Sequence, residues 1–500
     1  MIEILLTLTL SLAGAVCADR YARPTPSKSG LALRRAPAIW LLSLISASIF
    51  GILLAASGNP YLALILSLAL HVLLVSASNA KYRMLGEPLL FSDLALIGAI
   101  FRHPQFYFSV LTIWQKGLGL IALAALAAVL YWFFVPSLIM GVAGLTLALS
   151  AFAILLLSLR LRPFSNLATR PAVEKDTCEF GLLPIILLYW LRWRVEKAVS
   201  EKRLGAGALP EGIPLATAEQ ARIIIVVQCE SFADPVELFG GNADTLVHLG
   251  RSRRDGLIWG NLLASGFGAY TMRTEYGVLF GRGEEELGFR MYDPYLTAIA
   301  DVDHAIPNKL RMNGWRSVFV HPHDMRFYNR HTLLPKAGFT DLVGENHFEA
   351  PPSGPGRYVK DAAVAEKIIE IARAAEAPTF IYAVTMENHG PWARHGGADP
   401  QQMIANYNRL VKAGDSMLGR LREGVASLGQ PALLAFFGDH RPSIPGASEP
   451  GGPRHTPFVM IQFDAQGRIT GQPNARLDLT PAQLHHAIVE LTQGSTIVRD

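Results

Sequence analysis

Two apolar runs in the second half of the chain close on groups that could hold a metal ion. "RIIIVVQCES" ends at Glu230, and "PALLAFFGDHRP" ends at Asp439 and His440. Two carboxylates and an imidazole form a competent donor set for a divalent cation. Two further runs end in similar groups: "WRSVFVHPHD" at His321, His323 and Asp324, and "PTFIYAVTMENHG" near Glu387 and His389. Any one of these could be a turn or a helix cap, and it is their recurrence that points to a site. The stretch "SGFGAYTMRTEYGVLFG", residues 265–281, adds a candidate nucleophile. Thr271 could simply cap the helix that follows. It could also be a nucleophile at that helix N-terminus, where backbone N–H groups welcome an anion. A divalent ion beside it would lower the pKa of its hydroxyl and neutralise a phosphate or sulfate oxygen. The small residues of "SGFGAY" would let the backbone approach that anion closely. Arg273 and Glu275 read as an internal ion pair bracing the turn, and Cys229 as a small buried residue.

Such residues need a frame that gathers them. Continuous apolar runs of this length fit strands buried on both faces of a parallel sheet. Helical patterns over 358–377 and 401–425 alternate with them, and "LTPAQLHHAIVELT" reads as a closing helix with Thr480 at its cap and Pro481 in its first turn. Strand–helix alternation predicts an α/β domain, its mostly parallel sheet covered by helices on both faces. Ligands in such sheets gather at the carboxyl ends of the strands.

The first half of the chain is of another kind. Half of the 500 residues are hydrophobic, and the excess sits before residue 160. Residues 2–17, 38–56, 61–78, 118–135 and 137–158 are nearly uncharged runs close to the roughly 20 residues of a spanning helix. They predict a five-helix transmembrane domain over 1–160, the first run serving as an anchor. A linker, 161–215, would carry the run "FGLLPIILLYWL" along the membrane surface, since twelve residues rise only about 18 Å as a helix. A catalytic domain would occupy 216–500. Basic residues such as Arg20, Lys28, Lys81, Arg102 and Arg160 lie where charge bias would put the catalytic half in the cytoplasm. Three cysteines supply no disulfide framework. A net charge of +4 with no basic–aromatic patch argues against nucleic acid as a partner.

Glu230 in "VVQCES", Thr271 in "YTMRTEYGVLFG" and Asp439-His440 in "FFGDH" resemble the metal-and-nucleophile set of the lipoteichoic acid synthase and phosphoglycerol transferase family. That family is a sulfatase-like branch of the alkaline phosphatase superfamily. The likeness covers roughly residues 220–465, and the preceding spans match the family's architecture. It implies that Glu230, Thr271, Asp439 and His440 hold the metal, with Mn²⁺ usual and Mg²⁺ or Zn²⁺ compatible with the same ligand types. "VHPHDMRFYNR" is similar to a family stretch lining the glycerophosphate pocket, which implies His321, Tyr328 and Arg330 there. "ENHGPW" likewise implies a pocket histidine, His389. Two positions depart from the pattern: Tyr328 stands where many members have Trp, and His455 in "RHTPF" resembles phosphoethanolamine transferases and sulfatases. No C-x-P-S-R or S-x-P-x-R setting for formylglycine is present.

The resemblance implies a transferase in which Thr271 attacks phosphatidylglycerol, diacylglycerol leaves, and a cell-envelope glycan hydroxyl takes the glycerophosphate. His389 or His321 would handle the proton. It also implies a multi-pass inner-membrane protein with its site on the periplasmic side, against the charge count. Two rival readings stay open. One is a phosphoethanolamine transferase or a phosphodiester or sulfate ester hydrolase. The other is a non-catalytic assembly protein that has kept the fold.

Overall fold

The computed structural model describes residues 2–25, 34–95, 113–204, 221–240, 246–311, 313–350, 358–393, 399–470 and 474–492. It divides into two compact units, Met1–Val195 and Glu196–Asp500. The division falls inside the helix Leu182–Leu204. The expected 215/216 boundary, like Lys28 and Arg102, lies outside the described residues.

The first unit is helical. Among the described residues, four helices are long and apolar enough to cross a membrane: Ile2–Arg20, Ala36–Ser57, Pro60–Leu85 and Leu138–Arg160. The run expected over 118–135 is helical from Ile113 to Phe133, with a shorter apolar stretch, Gly117–Phe133, and it stops ahead of Pro136. Small residues let two of these helices close on each other. A Cβ on Gly51 would come within 2.7 Å of the Gly144 carbonyl and the Ala148 amide. The pairs Gly51/Ala55 and Gly144/Ala148, each four residues apart, form the small-residue seam by which membrane helices pack. Polar groups join other helices: Ser11 and Ser67 hydroxyls lie 2.9 Å apart, as do Ser46 Oγ and His71 Nε2. The run over 180–191 is longer than expected, because nothing breaks the helix before Leu204. Leu182, Ile185, Leu188 and Tyr189 on this helix are buried, whereas Trp190 and Val195 are exposed.

The second unit is built on an eight-stranded sheet. Its strands are β1 (Ile223–Cys229), β2 (Ile258–Leu263), β3 (Arg316–Val320), β4 (Asp341–Val343), β5 (Thr379–Val384), β6 (Ala432–Gly438), β7 (His455–Phe463) and β8 (Ala475–Arg476). The order is β4-β3-β5-β1-β6-β7-β2-β8. All neighbours run parallel except β7, which is antiparallel to both β6 and β2. The apolar runs are continuous because each face of the sheet is a core. Ile224 and Val226 pack on the side of the helices Thr271–Phe280 and Pro481–Thr492. Ile223, Ile225 and Val227 pack on the side of Asp361–Arg373 and Pro400–Ala426. The closing helix starts as expected. Thr480 Oγ1 accepts from Gln483 N at 3.3 Å while Gln483 Oε1 accepts from Thr480 N at 2.8 Å, a reciprocal capping box.

Candidate metal and nucleophile site

Register brings the carboxylates together. Cys229 pairs with Gly438 at the ends of the parallel strands β1 and β6, so Glu230 and Asp439 follow side by side. Ligand atoms of Glu230, Asp439 and His440 all lie within 4.8 Å of one another. All three residues are buried. Asp439 Oδ1 accepts from the Ser231 N–H at 2.8 Å, whereas its Oδ2 is buried with no hydrogen-bond partner. Glu230 Oε1 stands 3.4 Å from His440 Nε2. Two ligands of a tetrahedral ion with bonds of ~2.1 Å would be roughly that far apart. Burial, reinforced by the Asp439 charge, pushes the Glu230 carboxyl up to about 8. An orphaned carboxylate oxygen and two mutually repelling acids are the arrangement that a divalent cation would relieve. The residues present therefore fit a metal ion.

Thr271 is the first residue of its helix rather than its cap. Tyr270 holds the cap position in left-handed backbone, φ 74° and ψ 32°, and no side chain caps the helix. This sets the cap reading of Thr271 aside. The start of the helix is tied to the sheet from two sides. Gln228 Nε2 donates to the Thr271 carbonyl at 3.3 Å, and Gln228 Oε1 accepts from Tyr382 Oη at 2.7 Å. Thr274 Oγ1 donates to the Asp439 carbonyl at 2.9 Å and accepts from Ser265 N at 3.2 Å. Gly268, at φ 66°, turns the preceding loop so that its N–H reaches the Arg441 carbonyl at 2.9 Å. The candidate nucleophile and the Asp439-His440 ligands thus share one hydrogen-bonded frame.

A second buried cluster adjoins it. Arg330 grips Glu275 with both arms, Nε to Oε1 at 3.0 Å and Nη2 to Oε2 at 2.6 Å, and Tyr295 Oη donates to the same carboxylate. The expected Arg273–Glu275 pair is therefore not formed. Residues two apart on a helix point away from each other. Arg273 instead stacks 3.8 Å from the centre of the Tyr270 ring and donates to the Tyr292 carbonyl. Burial works against the charge on Arg330, but Glu275 more than offsets it and keeps the guanidinium firmly protonated. Its Nη1 meets His321 Nε2 at 3.1 Å, while His321 Nδ1 meets the Val384 carbonyl at 3.0 Å. Burial first, and then Arg330, hold His321 well below the usual histidine range. His321 is thus neutral, with both ring nitrogens engaged, which suits orientation better than proton transfer. Tyr328 lies against Arg330, its ring centre 5.2 Å from the guanidinium carbon.

Arg330→Ala would strand the Glu275 carboxylate in the core, so a loss of about 3–5 kcal/mol is expected, read by thermal or denaturant unfolding. Arg330→Lys keeps the charge but loses the two-armed grip. A smaller drop in stability together with a large fall in turnover is expected. Normal unfolding of both variants would show the pair to be dispensable.

His389 and His455 stand at the same carboxyl edge. His389 follows β5 and is half-buried, with Nδ1 2.7 Å from the Gly390 carbonyl. His455 opens β7, where Thr456 Oγ1 donates to the Gly438 carbonyl at 2.6 Å. His455 Nε2 lies 3.0 Å from Glu237 Oε2 and 2.8 Å from Arg441 Nη2. Sequence reasoning missed Gln228 and Ser231. A polar residue inside the apolar run of β1 was the available signal for Gln228, whereas Ser231 carried none. Among the described residues, Ser231, Tyr270, Tyr328 and Asn329 are four of the six non-glycine residues with positive φ. Each adjoins a candidate site residue or, for Tyr328, is one. Strained backbone gathers at functional sites in this way.

The Sulfatase family profile matches residues 222–489. The chain belongs to the sulfatase family. This family member is 28% identical over 502 residues to the capsular polysaccharide biosynthesis protein RkpI of Rhizobium meliloti, covering 95% of this chain and 92% of that one. It is 26% identical over 238 residues to a putative cyclic beta-1,2-glucan modification protein of the same organism, covering 44% of this chain and 36% of that one. Its structure resembles the integral membrane lipooligosaccharide phosphoethanolamine transferase A (EptA) of Neisseria meningitidis, with a TM-score of 0.57 at 11% identity over 98% of this chain and 95% of that one. That likeness is one of fold, and it extends through the helical membrane half. The chain thus joins a sulfatase-family domain to a helical half in which, among the described residues, four helices are long and apolar enough to cross a membrane.

Proposed function

We propose that this sulfatase-family protein transfers glycerophosphate from phosphatidylglycerol to a cell-envelope glycan through a covalent threonine intermediate. The observation that carries the reading is the buried triad Glu230, Asp439 and His440, with the orphaned Asp439 Oδ2, beside a helix whose first residue is Thr271. Glu230, Asp439, His440 and Thr271 would hold a divalent cation, Mn²⁺ by resemblance to the phosphoglycerol transferases. When bound, that ion supplies charge neutralisation at the phosphate and lowers the pKa of the threonine hydroxyl.

Thr271 Oγ1 gives up its proton to solvent and forms a bond to phosphorus, and the bond from phosphorus to the diacylglycerol oxygen breaks. The departing oxygen needs a proton, and His389, half-buried where β5 ends, is the candidate donor. The acceptor hydroxyl then attacks phosphorus and releases Thr271, which regains a proton. His321, Tyr328, Arg330 and His455 are proposed to bind the glycerophosphate. The glycan acceptor is supported by the relatives named for capsular polysaccharide biosynthesis and for glucan modification. Incubation with phosphatidylglycerol or phosphatidylethanolamine, each labelled in its headgroup, tests the donor. Glycerophosphate on the glycan is expected, and ethanolamine phosphate there would reassign the headgroup.

The site is proposed to face the periplasm, close to its lipid donor. Protease added to intact spheroplasts should then cut the second unit. Cleavage only after lysis would place it in the cytoplasm, as the basic loops suggest.

A further inference from the structure

Ser231 reaches all three of the carboxylate and imidazole groups at the site, through two separate atoms. Its backbone N–H donates to Asp439 Oδ1 at 2.8 Å. Its hydroxyl lies 3.0 Å from Glu230 Oε1 and 3.3 Å from His440 Nδ1. A hydroxyl has one proton to give and lone pairs to accept with. Given to the Glu230 carboxylate, that proton leaves Oγ to accept from a protonated His440 Nδ1. The imidazole is then fixed in the tautomer whose Nε2 is bare, and Nε2 is the nitrogen that faces Glu230 Oε1 at 3.4 Å.

The reach depends on an unfavourable backbone. Ser231 stands at φ 48°, a left-handed conformation that costs a residue with a Cβ. Its carbonyl is held there by two donors on other elements, Asn388 Nδ2 at 3.2 Å and Tyr407 Oη at 3.0 Å. Glycine would adopt this backbone more easily, so backbone geometry alone does not explain a serine here.

We propose that Ser231 is a positioning residue for the cation site: its hydroxyl orients Glu230 and sets the His440 tautomer while its N–H, on Asp439 Oδ1, turns the carboxylate so that Oδ2 is the unpartnered oxygen. The inference rests on the reading of Glu230, Asp439 and His440 as cation ligands. Hydrogen bonds of this kind behind a metal ligand are worth about 10–100-fold in metal affinity.

The test is Mn²⁺ titration by calorimetry on the full-length protein in detergent, with metal-free thermal melting measured in parallel. Ser231→Gly keeps the N–H, eases the backbone and removes the hydroxyl, whereas Ser231→Ala removes the hydroxyl and keeps the strain. Both should bind Mn²⁺ about 10–100-fold more weakly than the wild type. Metal-free Ser231→Gly should melt at or above the wild-type temperature. Asp439→Ala should abolish the titration and so assign the heat to this site. Wild-type affinity in Ser231→Gly, with or without loss in Ser231→Ala, would overturn the positioning role while leaving the metal reading intact. No Mn²⁺ uptake by the wild type would overturn both.

Discussion

Asp439→Ala and His440→Ala should each yield a folded protein that takes up no stoichiometric divalent metal and whose turnover falls by on the order of a thousandfold or more. Asp439 Oδ2 is buried with no hydrogen-bond partner, and His440 provides the nitrogen facing Glu230. Removing either leaves two ligands from the triad, too few to hold an ion against water. The fold should survive. Loss of the Asp439 carboxylate orphans the Ser231 N–H at a cost of about 1–3 kcal/mol, but it also removes a charge that burial sets against Glu230. Metal analysis beside far-ultraviolet dichroism checks both parts. Unchanged stoichiometry in both variants would move the ion elsewhere.

Thr271→Ala should reduce turnover to background while metal still binds through Glu230, Asp439 and His440. A threonine that merely capped a helix would cost about 1 kcal/mol of stability on removal and would leave chemistry untouched. Tyr270 already occupies the cap position, so even that cost is not expected here. Serine keeps an attacking oxygen but lacks the β-branch that narrows the rotamer choice. Thr271→Ser should therefore retain a reduced rate, measured as release of diacylglycerol from phosphatidylglycerol. Full turnover by Thr271→Ala would remove the covalent route.

Much of this site is legible in the sequence because it lies where regular structure stops. Continuous apolar runs identify β1, β3, β5 and β6, and the first ionisable residues after them are Glu230, His321, Glu387 and Asp439. Adjacency of β1 and β6 is not legible. It comes from sheet order, and with it the meeting of Glu230 and Asp439, 209 positions apart in the chain. The antiparallel strand β7 is equally hidden, since its burial resembles that of the parallel strands β1, β5 and β6. The partner of Glu275 was misplaced for a different reason. Arg273 is near in sequence, whereas Arg330 arrives through a left-handed kink at Tyr328 and Asn329 that no periodicity announces. Ser231 shows the same limit, because a serine after a strand looks ordinary until its backbone turns its N–H and hydroxyl onto the ligands.

The central claim is that Thr271 carries the transferred group, and mass spectrometry of the intact protein incubated with headgroup-labelled phosphatidylglycerol tests it most directly. A glycerophosphate adduct is expected on the peptide containing Thr271, present in the wild type, absent in Thr271→Ala and discharged when a glycan acceptor is added. Turnover without any adduct on that peptide, or an adduct that persists in Thr271→Ala, would contradict it.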